Sequence, residues 1–147
     1  MIAYLDSSVV LRLVLGQPDR LTEWSQIERG VASGLVEVEC LRTIDRLRHP
    51  ANLADEEIAL RREAVFRLLE ALDVVEPTAV VLRRAAQPLP TPLGTLDAIH
   101  LATASLWRET RGLELTVATH DRALATAARA TGFQIIGLSS AGSGSGR

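Results

Sequence analysis

Three aspartates stand where elements of regular structure should begin. Asp6 closes the apolar run "MIAYL", Asp121 follows "LTVAT" by two residues, and Asp97 falls in the first turn of the helical pattern "TLDAIHLATASLWRET". An ionised carboxylate at the rim of an apolar core costs of the order of several kcal/mol unless donors or a cation compensate it. Singly, each has an ordinary explanation. An acid in a first helical turn gains about 0.3–1 kcal/mol from the helix dipole, and Thr95 is the expected N-cap ahead of Asp97. Asp6 is less easily explained this way, because Ser7 and Ser8 are themselves better, neutral caps.

The recurrence is more informative. In an open parallel sheet the ligand site lies outside the carboxyl ends of the strands, and these three acids fall at that edge. Gathered carboxylates repel and raise one another's pKa; a cation removes the penalty. Magnesium and manganese take oxygen ligands, keep several waters and bind through one or two carboxylates plus substrate phosphates. A pair of such ions can generate an attacking hydroxide and neutralise the leaving oxygen of an in-line displacement. Two dications would also turn the formal charge of -2 into about +2, so that an acidic chain meets a polyanion locally. A fourth acid is expected from "GLVEVECLR", where Glu37 and Glu39 compete. At about 100° per residue they lie about 200° apart on a helix, so only one can face the site. The apolar stripe Val36, Cys40, Ile44 and Leu47 has Glu37 near its edge and Glu39 further round, and periodicity does not choose.

Composition excludes several chemistries. All sixteen basic residues are arginine, which removes any Schiff base, P-loop ammonium or lysine contact to phosphate. The net charge of -2 argues against a broad basic surface for nucleic acid, and the five aromatic residues are too few for a base-stacking platform. Arginine forks remain available for phosphate oxygens, with Arg12, Arg42, Arg46, Arg83, Arg84, Arg108 and Arg122 as candidates. The single cysteine, Cys40, offers no disulfide and reads as a small buried hydrophobe. No stretch is long and apolar enough to span a bilayer and no secretory pattern opens the chain, so a cytoplasmic location and no membrane partner are expected.

The elements that must position the acids follow from periodicity and punctuation. "IAYL" is a strand and "VVLRLVL" a helix closed by Gly16; residues from about Asp19 to Arg29 read as an amphipathic helix stopped by Gly30, with "VAS" a very short strand. Helices are expected over Leu35–Arg48 and about Asp55–Leu72. "DVVEP" is a strand, "TAVVLRRAAQ" a short helix and "PLPTPLG" a proline-rich loop. The Asp97 helix, a strand in "LELTVAT", a helix in "DRALATAARATG" and a strand in "FQIIGL" complete the order. Short strands, apolar on both faces and alternating with helices, predict an α/β fold: a short parallel sheet of four or five strands between helical layers. One domain is expected over residues 1–138, and residues 139–147 form a flexible Gly/Ser tail that is left out of the fold.

At these residues the chain resembles the PIN-domain ribonucleases, most closely the VapC-type toxins of bacterial toxin–antitoxin pairs. The matching motifs are "YLDSSVVLRL" around Asp6, "VECLRTI" around Glu39, "LDAIHLATA" around Asp97 and "ATHDRALATAARATG" around Asp121. They run in the family's order over nearly the whole chain; the proline-rich "QPLPTPLG" before Asp97 is the main departure. The resemblance implies a Rossmann-like three-layer PIN fold and an acidic pocket of Asp6, Glu39, Asp97 and Asp121, with magnesium or manganese mainly at Asp6 and Asp97. It selects Glu39 over Glu37, because the acid of the family pattern precedes a segment matched here by "CLRTI". Ser8 and Thr119 match small hydroxyl positions that orient the carboxylates. His100 and His120 adjoin the acids, but they are read as packing or hydrogen-bonding residues rather than proton carriers.

The resemblance therefore implies a metal-dependent endoribonuclease toxin that leaves 5'-phosphate and 3'-hydroxyl ends. Its partners would be RNA, a cognate VapB-type antitoxin and a second copy in a homodimer. Leu21, Trp24, Ile27 and the apolar faces of helices 35–48 and 55–72 are either contact surfaces for such partners or ordinary core. The alternative reading is a catalytically silent PIN-like module that binds RNA or protein. A phosphatase with Asp6 as nucleophile would need a second acid where Ser8 stands and a lysine that the chain lacks.

Overall fold

The computed structural model describes residues 1–50 and 52–138; the expected tail, 139–147, lies outside them. Strand β1 (Ile2–Leu5) has Ala3, Tyr4 and Leu5 buried. Apolar on both faces, such a strand belongs in the middle of a covered sheet. It pairs in parallel with β2 (Arg29–Ser33) on one side and β4 (Thr116–Ala118) on the other. Outside these lie β3 (Asp73–Val75) and β5 (Gln134–Ile136), also parallel, giving the order β3-β2-β1-β4-β5. The expected parallel sheet between helical layers is present, with five strands.

Alternation along the strands divides the core. Ala3, Leu5 and Ala32 face α1 (Ser7–Val14), α2 (Leu35–Arg46) and α3 (Asp55–Glu70), where Val9, Val36, Ile44 and Val65 are fully buried. Tyr4, Val31 and Val117 face α5 (Thr95–Arg111) and α6 (Arg122–Ala130), meeting Leu101, Trp107 and Leu124. The short helix α4 (Ala79–Ala85) packs on α5 through Val81, Ile99 and Ala102. Each such aliphatic side chain contributes about 1.5–3 kcal/mol by leaving water. Cys40 is buried among them; burial, then the nearby charges of Glu39 and Asp6, pushes its thiol up to about 12.

The strand order reverses at β1: the chain builds outward through β2 and β3, then returns to place β4 and β5 on the opposite side. Loops leaving the carboxyl ends of β1 and β4 therefore diverge and open a crevice between them. The Asp6 N–H donates to the Ala118 carbonyl at 3.1 Å, so the strand ends stay joined beneath it.

Local expectations are corrected in four places. The helix expected over Asp19–Arg29 is a single 3-10 turn, Thr22–Gln26, followed by β2. Leu21, Trp24 and Ile27 recur every three residues, the period at which 3-10 side chains eclipse. Gly30 lies within β2 and stops no helix; a Cβ there would come 2.3 Å from Leu72 Cδ2, so its role is close packing. Thr95 is the first residue of α5, with Gly94 at the N-cap. Neither Ser7 nor Ser8 caps α1: Asp6 holds the N-cap position, the Ser8 hydroxyl donates to its carboxylate, and the Ser7 hydroxyl lies between the carboxylates of Asp6 and Glu39. Leu21, Val36, Cys40, Ile44, Ile58 and Val65 are buried in the core, and Trp24 and Ile27 pack half-buried against it.

Past β5, Gly137 has φ +95°, and a Cβ on it would meet the Thr119 carbonyl oxygen at 2.7 Å. This approach also brings the Gly137 carbonyl to His120, whose Nδ1 donates to it at 2.5 Å. Gly137→Ala should therefore destabilise the protein by about 1–3 kcal/mol in urea unfolding. An unchanged midpoint would mean that the approach constrains nothing.

Candidate active site

Four elements bring one acid each to the crevice. Asp6 leaves β1, Glu39 lies on α2, Asp97 on the first turn of α5, and Asp121 at the N-cap of α6 after β4. Asp6 is the deepest, at 3% exposure, and its charge is supported by donors from two segments. Its Oδ2 accepts the Ser8 hydroxyl at 2.7 Å and the Thr119 hydroxyl at 2.8 Å. Those oxygens in turn accept backbone N–H groups from the loop after β4: His120 N–H on Ser8 Oγ and Asp121 N–H on Thr119 Oγ1, both at 3.0 Å. One carboxylate oxygen thus ties the β1–α1 turn to the β4–α6 turn.

Glu39 faces the pocket, whereas Glu37 is exposed. Its Oε2 accepts the Ser7 hydroxyl at 3.2 Å, and its Oε1 lies 2.5 Å from His100 Nε2. That same nitrogen is 3.7 Å from Asp6 Oδ1. Asp121 Oδ1 caps α6 by accepting the Leu124 N–H at 2.9 Å, so this acid is a cap and a member of the pocket at once. Among the described residues Asp97 accepts no hydrogen bond.

The electrostatics show that the acids share one environment. Burial, then the charges of Asp121, Asp6 and Glu39, pushes the Asp97 carboxyl up to about 6, with His100 opposing them. Burial by itself would lower the pKa of His100; the Glu39 hydrogen bond and the charges of Asp6, Glu39 and Asp97 outweigh it and raise it. Tyr4, buried beside this group, is raised well above its ordinary value by burial and by Asp6.

Free lone pairs decide where a cation could sit. Asp6 Oδ2 and both Glu39 oxygens already hold donors at 3.2 Å or less. Asp6 Oδ1 has a 3.4 Å contact from Ser7 and lies 3.7 Å from His100 Nε2, and among the described residues no hydrogen bond reaches Asp97 or Asp121 Oδ2. Among the described residues no three His, Cys, Asp or Glu side chains form a ready-made metal shell. The donor set is carboxylate oxygen, which suits a hard divalent ion rather than zinc.

Every acid expected from the sequence is in this group, and so are Ser8 and Thr119. Three members went unassigned: Ser7, Tyr4 and the bridging part played by His100. The available signals were spacings, since His100 is one helical turn from Asp97 and Tyr4 shares the parity of Asp6 on its strand. His120 turns to Gly137 instead. Most of the candidate arginines are engaged elsewhere. Arg12 pairs with Asp19, Arg42 with Asp45 and Arg84 with Glu109, Arg46 donates to Thr43, and Arg108 holds the Thr131 and Gly132 carbonyls. Among the described residues Arg83 and Arg122 form no ion pair.

Known proteins share this fold and sequence pattern. Residues 3–130 match the PIN domain family. Ribonuclease VapC47 of Mycobacterium tuberculosis is 31% identical over 138 residues, covering 88% of this chain and 92% of that protein. Ribonuclease VapC46 of the same organism is 34% identical over 137 residues, covering 90% and 95%. Among solved structures, FitAB bound to the IR36 DNA fragment superposes with a TM-score of 0.69 at 18% identity, over 92% of this chain and 94% of that one. VapBC2 from Rickettsia felis, bound to a DNA fragment from its promoter, gives 0.63 at 12% identity, over 92% and 97%.

The raised Asp97 carboxyl sets a pH dependence. Its ordinary value is 3.8 and its folded value about 6, so the folded state holds the proton more tightly. The resulting stability is fully present below the ordinary value and is lost as pH rises through the folded one. In metal-free buffer Asp97→Asn should melt at a higher temperature than the wild type at about pH 7.5, and the difference should vanish near about pH 4. Equal melting temperatures at both pH values would show that Asp97 feels none of its neighbours.

Proposed function

The chain belongs to the PIN domain family and, within it, to the VapC-type ribonucleases, and on that premise we propose that it is a metal-dependent endoribonuclease toxin. The observation that carries this reading is the shared pocket, in which Asp97 responds to Asp6, Glu39 and Asp121 together. Asp6 and Asp97 would hold magnesium or manganese, which when bound would supply Lewis-acid chemistry to a water and to phosphoryl charge.

The chain's own residues do the rest. Ser8 and Thr119 fix Asp6 by donating two hydroxyl hydrogen bonds to its Oδ2. Glu39 and Asp121 complete the negative rim that orients the attacking water. Attack on an RNA phosphodiester, with the 3'-oxygen leaving, yields 5'-phosphate and 3'-hydroxyl ends. Arg122, exposed and next to Asp121 in sequence, is a candidate for an adjacent phosphate. The protein acts in the cytoplasm, as a homodimer restrained by a cognate VapB-type antitoxin. Its similarity to proteins solved as toxin–antitoxin complexes supports the antitoxin, and the absence of any membrane-spanning helix among the described residues accords with the location.

Purified protein should cleave RNA with magnesium or manganese and stop on chelation. Asp6→Ala and Asp97→Asn should each lower cleavage by about a hundredfold or more with the fold retained, and Thr119→Val by about tenfold. Full activity in either acid variant removes the metal mechanism. A calorimetric titration with no heat from manganese would favour the silent binding module.

A further inference from the structure

The roles above leave the buried imidazole of His100 without a task. His100 is wholly buried, yet both ring nitrogens are engaged: Nε2 with Glu39 Oε1 at 2.5 Å and Nδ1 with the Tyr4 hydroxyl at 2.7 Å. An ionised carboxylate only accepts, so Nε2 carries a proton toward Glu39. In the neutral ring Nδ1 then accepts the Tyr4 O–H; in the charged ring it donates to the Tyr4 oxygen. The orientation of the ring is the same in both states. Tyr4 is itself immobile, 1% exposed at the centre of the sheet, with its ring edge-on to His100.

Glu39 needs such a restraint. It is the most flexible of the four acids and stands among three like charges, which would drive an unheld side chain out toward solvent. Its two holders, Ser7 and His100, come from different helices. The geometry points to His100 as the positioning residue of this pocket: anchored by Tyr4, it holds Glu39 inward and, 3.7 Å from Asp6, spaces the two acids for an incoming cation. Its effect on cleavage rests on the nuclease reading.

The test compares His100→Leu, His100→Gln and Tyr4→Phe with the wild type. Manganese affinity is measured by calorimetry without RNA, alongside cleavage and thermal unfolding. His100→Leu should bind manganese about tenfold or more weakly. His100→Gln, whose amide N–H can stand in for Nε2–H, should recover most of the loss, and Tyr4→Phe should fall between. A folded His100→Leu protein with wild-type affinity overturns the inference, as does a folded glutamine variant no better than leucine. Should the leucine variant not fold, unchanged affinity in Tyr4→Phe overturns it. Wild-type protein that takes up no manganese overturns the metal reading and this inference with it, whereas normal uptake in every variant overturns this inference alone.

Discussion

Four carboxylates that repel one another are held in a single crevice, and the surrounding structure is organised around tolerating that. Desolvation and like charge both disfavour the arrangement. The fold answers with donors drawn from elements that are otherwise unrelated. Two hydroxyls and an imidazole do most of it, because each can serve two groups at once. Ser8 and Thr119 give their protons to Asp6 while taking backbone N–H groups from the next loop. His100 meets Glu39 on one edge and Tyr4 on the other. Among the described residues Asp97 has no donor of its own, and burial with the charges of Asp121, Asp6 and Glu39 raises its pKa.

The sheet makes this possible through its order. With β1 central and β4 beside it, two strand ends deliver Asp6 and the Thr119–Asp121 loop to adjacent places. Helix α2 brings Glu39 in from one layer, and α5 brings Asp97 and His100 from the other. A site assembled from both layers depends on the whole core, so a packing fault such as a Cβ at Gly137 reaches it through Thr119.

The two readings separated at the outset differ in what the acids are for. In a silent module a gathered acid cluster is a standing cost, and capping of α6 and the helix dipole of α5 would explain Asp121 and Asp97. The lone pairs of Asp6 Oδ1, Asp97 and Asp121 Oδ2 lie in the pocket where the negative charge is concentrated. Caps do not require that convergence, whereas cation binding does.

The residues alone determined the fold class and the acids at element starts, because strand parity, helix period and breakers are local properties; the positions of Ser8 and Thr119 came from the family resemblance. The same local rules misread residues 19–29, where a period of three was taken for a helix although β2 gains more by pairing with β1. They left Glu37 and Glu39 level, and family resemblance favoured Glu39. Only the tertiary structure supplied the contact that seats it, since Glu39 and His100 are 61 residues apart, Tyr4 and His100 96, and Asp6 and Thr119 113. Hydrogen bonds across such separations depend on how layers pack, and no spacing along the chain encodes that distance.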